Sequence, residues 1–459
     1  MKKLLLGMAL AAAALPAAAA EQAPEFFRVY RPYSDVVFYD GYNDNIFDKD
    51  LDDGILRHRN SLYAKRLTDK ALDWFGLETR LDVNIRALCD NYDRIGNVSV
   101  ALVPKGAETY DHEQVTRIEL ARFITPFMNK NTLPDVVPYT YDASLMSMIF
   151  HDMDLREKYD LWLEFELFGI PYAANKQVKG CADRNDVFAG TLTFTCTDDP
   201  APASRDHILV PIVMKKPEYK GNNFNNYSEQ GTDTIGTATK TYKFTLPERV
   251  TDGRITLIMS NHGANAGGEE YVPRLHLLYF DKELAMTWKN GKDCEPYRVY
   301  NTQPNGIYGT YIRPELSWIN QSNWCPGDAI PIRYIDLGEL EAGEHEIMIR
   351  VPEAVFADKQ GDFPVSMYFQ GLRAGKLPVG IEEVSASPEA PRVVRNGNVL
   401  RLENGEVREV SIYSYDGRFL YGRHTESPEV SIVGFEPGVY LVNFTIADGS
   451  IVSYKAIKN

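Results

Sequence analysis

Acids stand at three places in the 459-residue chain where a carboxylate has chemistry to offer. Asp93 and Arg94 precede a segment, Asn97 to Val103, in which Val98, Val100 and Leu102 alternate with Asn97, Ser99 and Ala101. A period of two is the signature of a half-buried strand. Asp93 therefore belongs at the rim of a sheet, where scaffolds present reactive groups. Taken alone, the Asp-Arg pair reads as a turn acid beside a solvated arginine. Glu269 and Glu270 form a second acidic pair, which alone reads as surface charge. The third place is the run Tyr42 to Gly54, with Asp44, Asp48, Asp50, Asp52 and Asp53. It invites a calcium reading, but its glycine falls one place late for an EF-hand. Its twelfth position, counted from Asp48, is Arg59 rather than glutamate. A solvated acidic loop fits better. No HExxH and no close His/Asp ligand cluster appears, so no metal and no other cofactor is expected.

Five cysteines complete the reactive inventory: Cys89, Cys181, Cys196, Cys294 and Cys325. Pairing by proximity joins Cys181 to Cys196 and Cys294 to Cys325, leaving Cys89 as a small buried hydrophobe. A nucleophilic Cys89 lacks a histidine at any suggestive spacing.

The elements that must position these groups are strands. Residues 1 to 20 read as a secretory signal peptide: Lys2 and Lys3, an apolar run from Leu4 to Leu15, and Ala18-Ala19-Ala20 before Glu21. No later stretch is apolar for long enough to cross a bilayer, so an exported protein without membrane insertion is expected. The net charge of −15 argues against a nucleic-acid partner. Residues 21 to 75 are hard to read, and Ser61 to Phe75 fits a helix or a strand. Short alternating segments then follow at Leu81 to Leu88, Ile118 to Phe127 and Leu161 to Phe168. A second set runs from His207 to about Gln370, with long polar loops at Pro217 to Thr239 and Cys294 to Pro331. No βαβ rhythm appears, so the sheets should be antiparallel. The expected architecture is all-β, in two sandwiches over 76–205 and 206–375. A linker over 376–392 leads to a small β module over 393–459, punctuated by Asn-Gly, Asp-Gly and Pro-Gly turns.

The Asp93 stretch together with RIELARFITPF (Arg117 to Phe127) resembles the first domain of the bacterial peptide-N-glycosidase F family. HGANAGGEEYVPRLHLLYF (His262 to Phe280) and NWCPGDAIPIR (Asn323 to Arg333) resemble the family's second domain, in the same order. The resemblance covers about residues 75 to 372. It implies two side-by-side eight-stranded antiparallel jelly-roll sandwiches with a glycan cleft between them. It also implies hydrolysis of the amide between N-acetylglucosamine and asparagine. Carried over by position, Asp93 and Glu270 fall on the principal catalytic carboxylates, and Asp152 lies near a third family acid in a poorly matching stretch. Tyr92, Arg94, His262, Tyr271 and Trp324 fall on substrate-contacting places. Two carboxylates suit such a reaction, because one serves as base for water and the other as acid for the departing nitrogen.

Departures from the family pattern are equally specific. Gln321 stands where the family commonly has an arginine, which removes a multi-donor fork. Gly268 and Val272 replace the cysteines of a small disulfide flanking the second acid, and Tyr92 and Tyr271 replace tryptophans. The expected partner is therefore an N-linked glycan, glycopeptide or glycoprotein, acted on by a monomer. The rival expectation is a catalytically weak or inactive glycan-binding relative using the same cleft. The C-terminal module (VREVSIYSYDGRFLYGR, Val407 to Arg423) resembles the sorting or sandwich domains of exported Bacteroidetes proteins.

Overall fold

The computed structural model describes residues 28–43, 51–197, 204–213, 238–263, 269–303, 323–354, 362–374, 391–414, 419–425, 427–447 and 451–458. Residues 1–20, expected to be a signal peptide, Gln321, Gly268 and most of the acidic run after Tyr42 lie outside them. The chain divides into two compact units, 1–376 and 377–459.

Nine strands build the first sandwich: β1 (Arg28–Tyr39), β2 (Ile55–Arg59), β3 (Leu62–Arg66), β4 (Thr79–Ala87), β5 (Ile95–Pro104), β6 (Thr116–Ile124), β7 (Val136–Asp142), β8 (Tyr159–Leu167) and β9 (Asp186–Cys196). One antiparallel sheet has the order β1-β9-β4-β7 and the other β2-β3-β8-β5-β6. Alternation in β4 buries Leu81, Val83, Ile85 and Ala87 against Val98, Val100 and Phe165 of the facing sheet. The boundary expected at residue 76 needs correction. Residues 28–66 supply β1 to β3, because β1 pairs along β9 and β3 along β8. The segment with two readings, Ser61 to Phe75, contains β3 followed by the single helical turn α1 (Asp69–Leu72). Its hairpin with β2 adds a ninth strand to the eight of a jelly roll.

β5 also departs from the half-buried expectation, since it is covered on both faces. Val98, Val100 and Leu102 enter the core, while Asn97 and Ser99 are buried on the opposite face. There Asn97 donates to Glu166 (2.8 Å) and Arg117 grips Glu164 (2.6 Å), with Tyr110 closing over Glu164. A polar face can be buried when its groups satisfy one another.

The cysteine pairing also needs correction. Cys89 bonds Cys181, and Cys196 is a free, buried thiol. β9 starts five residues after Cys181 and carries Cys196 to its far end, roughly 30 Å along an extended strand. Cys196 there sits opposite Thr79 of β4. Cys89 follows β4 at the other end of the sheet, beside the turn holding Cys181. The second expected bond, Cys294–Cys325, is present.

Among the described residues, the second sandwich has eight strands: β10 (His207–Val213), β11 (Thr239–Leu246), β12 (Val250–Met259), β13 (Leu275–Phe280), β14 (Glu283–Lys289), β15 (Ile332–Leu340), β16 (Gly343–Arg350) and β17 (Val365–Arg373). Its sheets run β10-β17-β12-β15 and β11-β16-β13-β14, around Ile255, Leu257, Ile347, Ile349 and Phe369. In the separate C-terminal unit, β18 (Arg392–Asn396), β19 (Val399–Glu403) and β22 form one small sheet. The strands β20 (Val407–Ser414), β21 (Phe419–His424), β23 (Gly438–Ile446) and β24 (Ile451–Lys458) form the other, and β22 is Glu429–Ser431. Leu400, Val410, Ile412, Val442 and Phe444 fill its core.

β6 is the seam between the two sandwiches. Its Arg122, fully buried, pairs bidentately with Glu119 at 2.6 and 2.8 Å. The same guanidinium donates across the seam to Ser260 Oγ (2.9 Å) and the Pro364 carbonyl (2.8 Å). The Ser366 hydroxyl returns a bond to Glu119. Backbone bonds join Ile124 N to Asp328 O (3.0 Å) and Ile330 N to Arg122 O (2.8 Å).

Removing one member of a buried ion pair strands the other charge and costs about 3–5 kcal/mol, whereas removing both costs much less. Arg122→Met should therefore lower unfolding stability more than the double variant Glu119→Leu/Arg122→Met, read from urea denaturation midpoints. Equal losses would show that the pair's charges are not what binds the seam.

Candidate active site

The Asp93 wall is built on a loop between β4 and β5. The Cys89–Cys181 bond anchors its start, and Asn91 donates to Gln177 (2.8 Å). Asp90, fully buried, accepts from Ile170 N (2.7 Å), Tyr92 N (3.0 Å) and Arg94 Nε (2.7 Å). Arg94 is thereby fixed over the Tyr92 ring at 5.2 Å, and Tyr92 stacks on the exposed Tyr172 at 6.2 Å. Thr125, just past β6, accepts from Arg94 N (2.7 Å) and donates to Tyr92 O (3.0 Å). Every neighbour of Asp93 in this loop is tied down, which orients its carboxyl.

The opposite wall comes from the second sandwich. Glu269 is fully buried in a bidentate pair with Arg274, both bonds 2.9 Å. That pair holds the turn so that Glu270 is the acid turned toward Asp93. Gly263 N donates to Glu270 Oε2 (3.3 Å), and Tyr271 adds a side-chain hydrogen bond. Asn323 donates its amide to the carbonyls of Glu269, Glu270 (3.0 Å) and Val272 (3.2 Å). One asparagine thus staples the turn. The Cys294–Cys325 bond packs beside Phe127 and Tyr92 of the first sandwich. Gly327, at φ +102°, makes the turn that passes Pro126 closely.

The electrostatics follow from burial of two like charges. Burial raises Asp93 to about 6 against the opposing pull of Arg94, with the Asp90 charge adding to the rise. Burial and the Asp93 charge raise Glu270 to about 8, opposed by Tyr271 and Gly263 N–H. The charge of Asp93 is thus felt at Glu270, and burial pushes both carboxyls above their ordinary range.

His262 is buried, although its stretch is rich in glycine and asparagine. The chain at 262 pairs with Asp362 through both backbone bonds (2.9 and 3.0 Å), which extends sheet structure into the loop. Its ring lies 5.7 Å from that of Trp324, whose indole N–H donates to Asn261 O (3.0 Å). Trp324 is buried too, packed with Ile124, Ile258 and Ile330 at the seam. Asp152 is not brought to this pair. It caps the helical turn Met153–Lys158 by accepting from Asp154 N (2.9 Å) and Leu155 N (3.0 Å), and it pairs with Ser204. Asp90, Asn323, Ser260 and Arg122 escaped the sequence reading, since each works through a contact distant in the chain. Asp90, four residues before Arg94, and Arg122, three after Glu119, left local charge-pair signals.

Two family models match the chain: "Peptide-N-glycosidase F, N terminal" over residues 34–181 and "Peptide-N-glycosidase F, C terminal" over residues 230–370. No curated protein matches it. Among solved structures, PNGF-II is similar with a TM-score of 0.55 at 18% identity, over 75% of this chain and 65% of that one. PNGase F, a glycosylasparaginase from Flavobacterium meningosepticum, aligns over 77% of this chain and 98% of its own, with a TM-score of 0.47 at 12% identity.

The two glutamates should separate in a stability test. A buried acid with a raised pKa favours the folded state while protonated, and this contribution is lost as pH rises from its unfolded value toward about 8. Glu270→Gln should therefore match the wild type near pH 4.5 and become progressively more stable than it up to pH 8, by thermal unfolding. Glu269→Gln should destabilise across this range, because it removes the charge that pairs with the half-buried Arg274 and holds the turn. A Glu270→Gln variant no more stable at pH 8 than at pH 4.5, relative to wild type, would contradict the assignment.

Proposed function

Because the chain belongs to the peptide-N-glycosidase F family, we propose that it is an exported amidohydrolase. Its substrates are N-linked glycopeptides or glycoproteins, and the bond it cuts is the amide between asparagine and the first N-acetylglucosamine. The observation that carries the reading is the acid pair, one member from each sandwich, with environments that push their pKa values apart.

The roles follow from protonation. The Asp93 carboxylate, the weaker-held proton site, takes a proton from water, whose oxygen attacks the amide carbon. Protonated Glu270 gives its proton to the nitrogen as the C–N bond breaks. The peptide leaves with aspartate and the glycan as its glycosylamine, so the net consumption is one water. Arg94 and Tyr92 offer a charged donor and an aromatic face to the sugar. Asp152 enters as a substrate-distant acid supporting its own helical turn, and no step is assigned to it. The C-terminal unit serves delivery to the cell surface or medium.

Purified protein incubated with a fluorescent N-glycopeptide should release the glycan and leave a peptide with the mass of aspartate at the former asparagine. Asp93→Asn should lower the rate about 10²–10⁴-fold, the usual loss for a general base. Cleavage that leaves one N-acetylglucosamine on the peptide would refute the amidase, and binding of immobilised glycans without cleavage would favour the lectin-like rival. The pH profile of kcat/KM should be bell-shaped, falling below about 6 as Asp93 protonates and above about 8 as Glu270 ionises. A plateau extending well above pH 8 would remove Glu270 from the acid role.

A further inference from the structure

Ser260 stands between two nitrogen groups of different kinds. Arg122 Nη1 donates to its Oγ at 2.9 Å, and its Oγ lies 2.8 Å from His262 Nε2. Arg122 has no acceptor to offer, so the serine oxygen is an acceptor toward it. The serine proton needs an acceptor of its own, because Ser260 is only 3% exposed. Among the described residues that acceptor is His262 Nε2. The reverse arrangement, with Nε2–H donating to Oγ, leaves the buried hydroxyl proton without a partner. An imidazolium does the same and adds positive charge one hydroxyl away from a buried guanidinium.

We propose that Arg122 and Ser260 are positioning residues that hold His262 neutral, with Nε2 as acceptor and the proton on Nδ1. The seam between the sandwiches thereby dictates the hydrogen-bonding face of a histidine beside the acid pair. The ring's plane is held from two further sides, by the backbone pairing with Asp362 and by Trp324 at 5.7 Å. The Trp324 indole is in turn fixed by Asn261 O. A histidine locked in one tautomer offers a polar ligand atom of fixed sign, which suits recognition of a sugar hydroxyl or acetamido carbonyl. This consequence for substrate rests on the amidase reading, whereas the tautomer itself does not.

The test has an arm that needs no substrate. Protein labelled with 15N-histidine is studied by long-range 1H–15N correlation at neutral pH, the His262 signals being assigned by their loss in His262→Asn. Wild type should show Nε2 unprotonated and Nδ1 protonated. Ser260→Ala should give a mixture of tautomers, and Ser260→Thr, which keeps the hydroxyl, should restore the wild-type pattern. On a glycopeptide, Ser260→Ala should raise KM about three- to tenfold, the worth of one hydrogen bond, with kcat changed less than twofold. Ser260→Thr should reverse the rise. A protonated Nε2 in wild type, or a Ser260→Ala spectrum identical to it, overturns the proposal. Absence of turnover in wild type overturns the amidase reading instead and leaves the spectra to decide the tautomer.

Discussion

The fully buried Glu119–Arg122 pair is the constraint on which the rest of unit 1–376 depends. Each half of the acid pair sits on its own sandwich, so neither sandwich alone contains a site. Arg122 uses its fork on Glu119 and its remaining donors on Ser260 and Pro364, which orients the two sandwiches through directional bonds. Apolar contact between them would tolerate sliding, but a planar fork with fixed donors does not. A shift of an ångström at the seam would be felt at both carboxyls, one carried by each sandwich.

The same logic of fixing neighbours recurs in the acid pair. Glu269 and Asp90 are buried and fully engaged, with Arg274 and Arg94 respectively, and they carry no freedom. Glu270 follows Glu269 directly and Asp93 lies between Asp90 and Arg94 in the chain, so those pairs fix the backbone on which both acids stand. Burial disfavours two charges in one place, so the pair retains a proton at a pH where isolated carboxylic acids have lost theirs.

The architecture was legible because period-two alternation and turn residues act locally. His207–Val213 and Leu275–Phe280 coincide with β10 and β13. β14, Glu283–Lys289, was missed although Leu284, Met286 and Trp288 alternate in it, since it is a short edge strand that is largely exposed. Asp93 and Glu270 were legible through motif order alone. The groups that orient them were not, because Asp90 reaches Ile170, Asn323 reaches Glu270, and Arg122 reaches Ser260 across long sequence separations. His262 reads as part of an open loop because glycine and asparagine surround it. The pairing of that loop with Asp362 depends on a segment a hundred residues later.

The first sandwich holds three cysteines, and the native bond is not the one that a random chain would form soonest. Cys181 and Cys196 are 15 residues apart, whereas Cys89 and Cys181 are separated by 92. Loop closure favours the shorter pairing in an unfolded chain. Only once β9 has zipped between β1 and β4 is Cys196 withdrawn into the sheet, leaving Cys181 with Cys89 as its neighbour. The sheet therefore acts as a protecting group. In an oxidising compartment, hydrogen bonding must outrun thiol chemistry, or the Asp93 loop is left unanchored, with Cys89 free and its partner already spent.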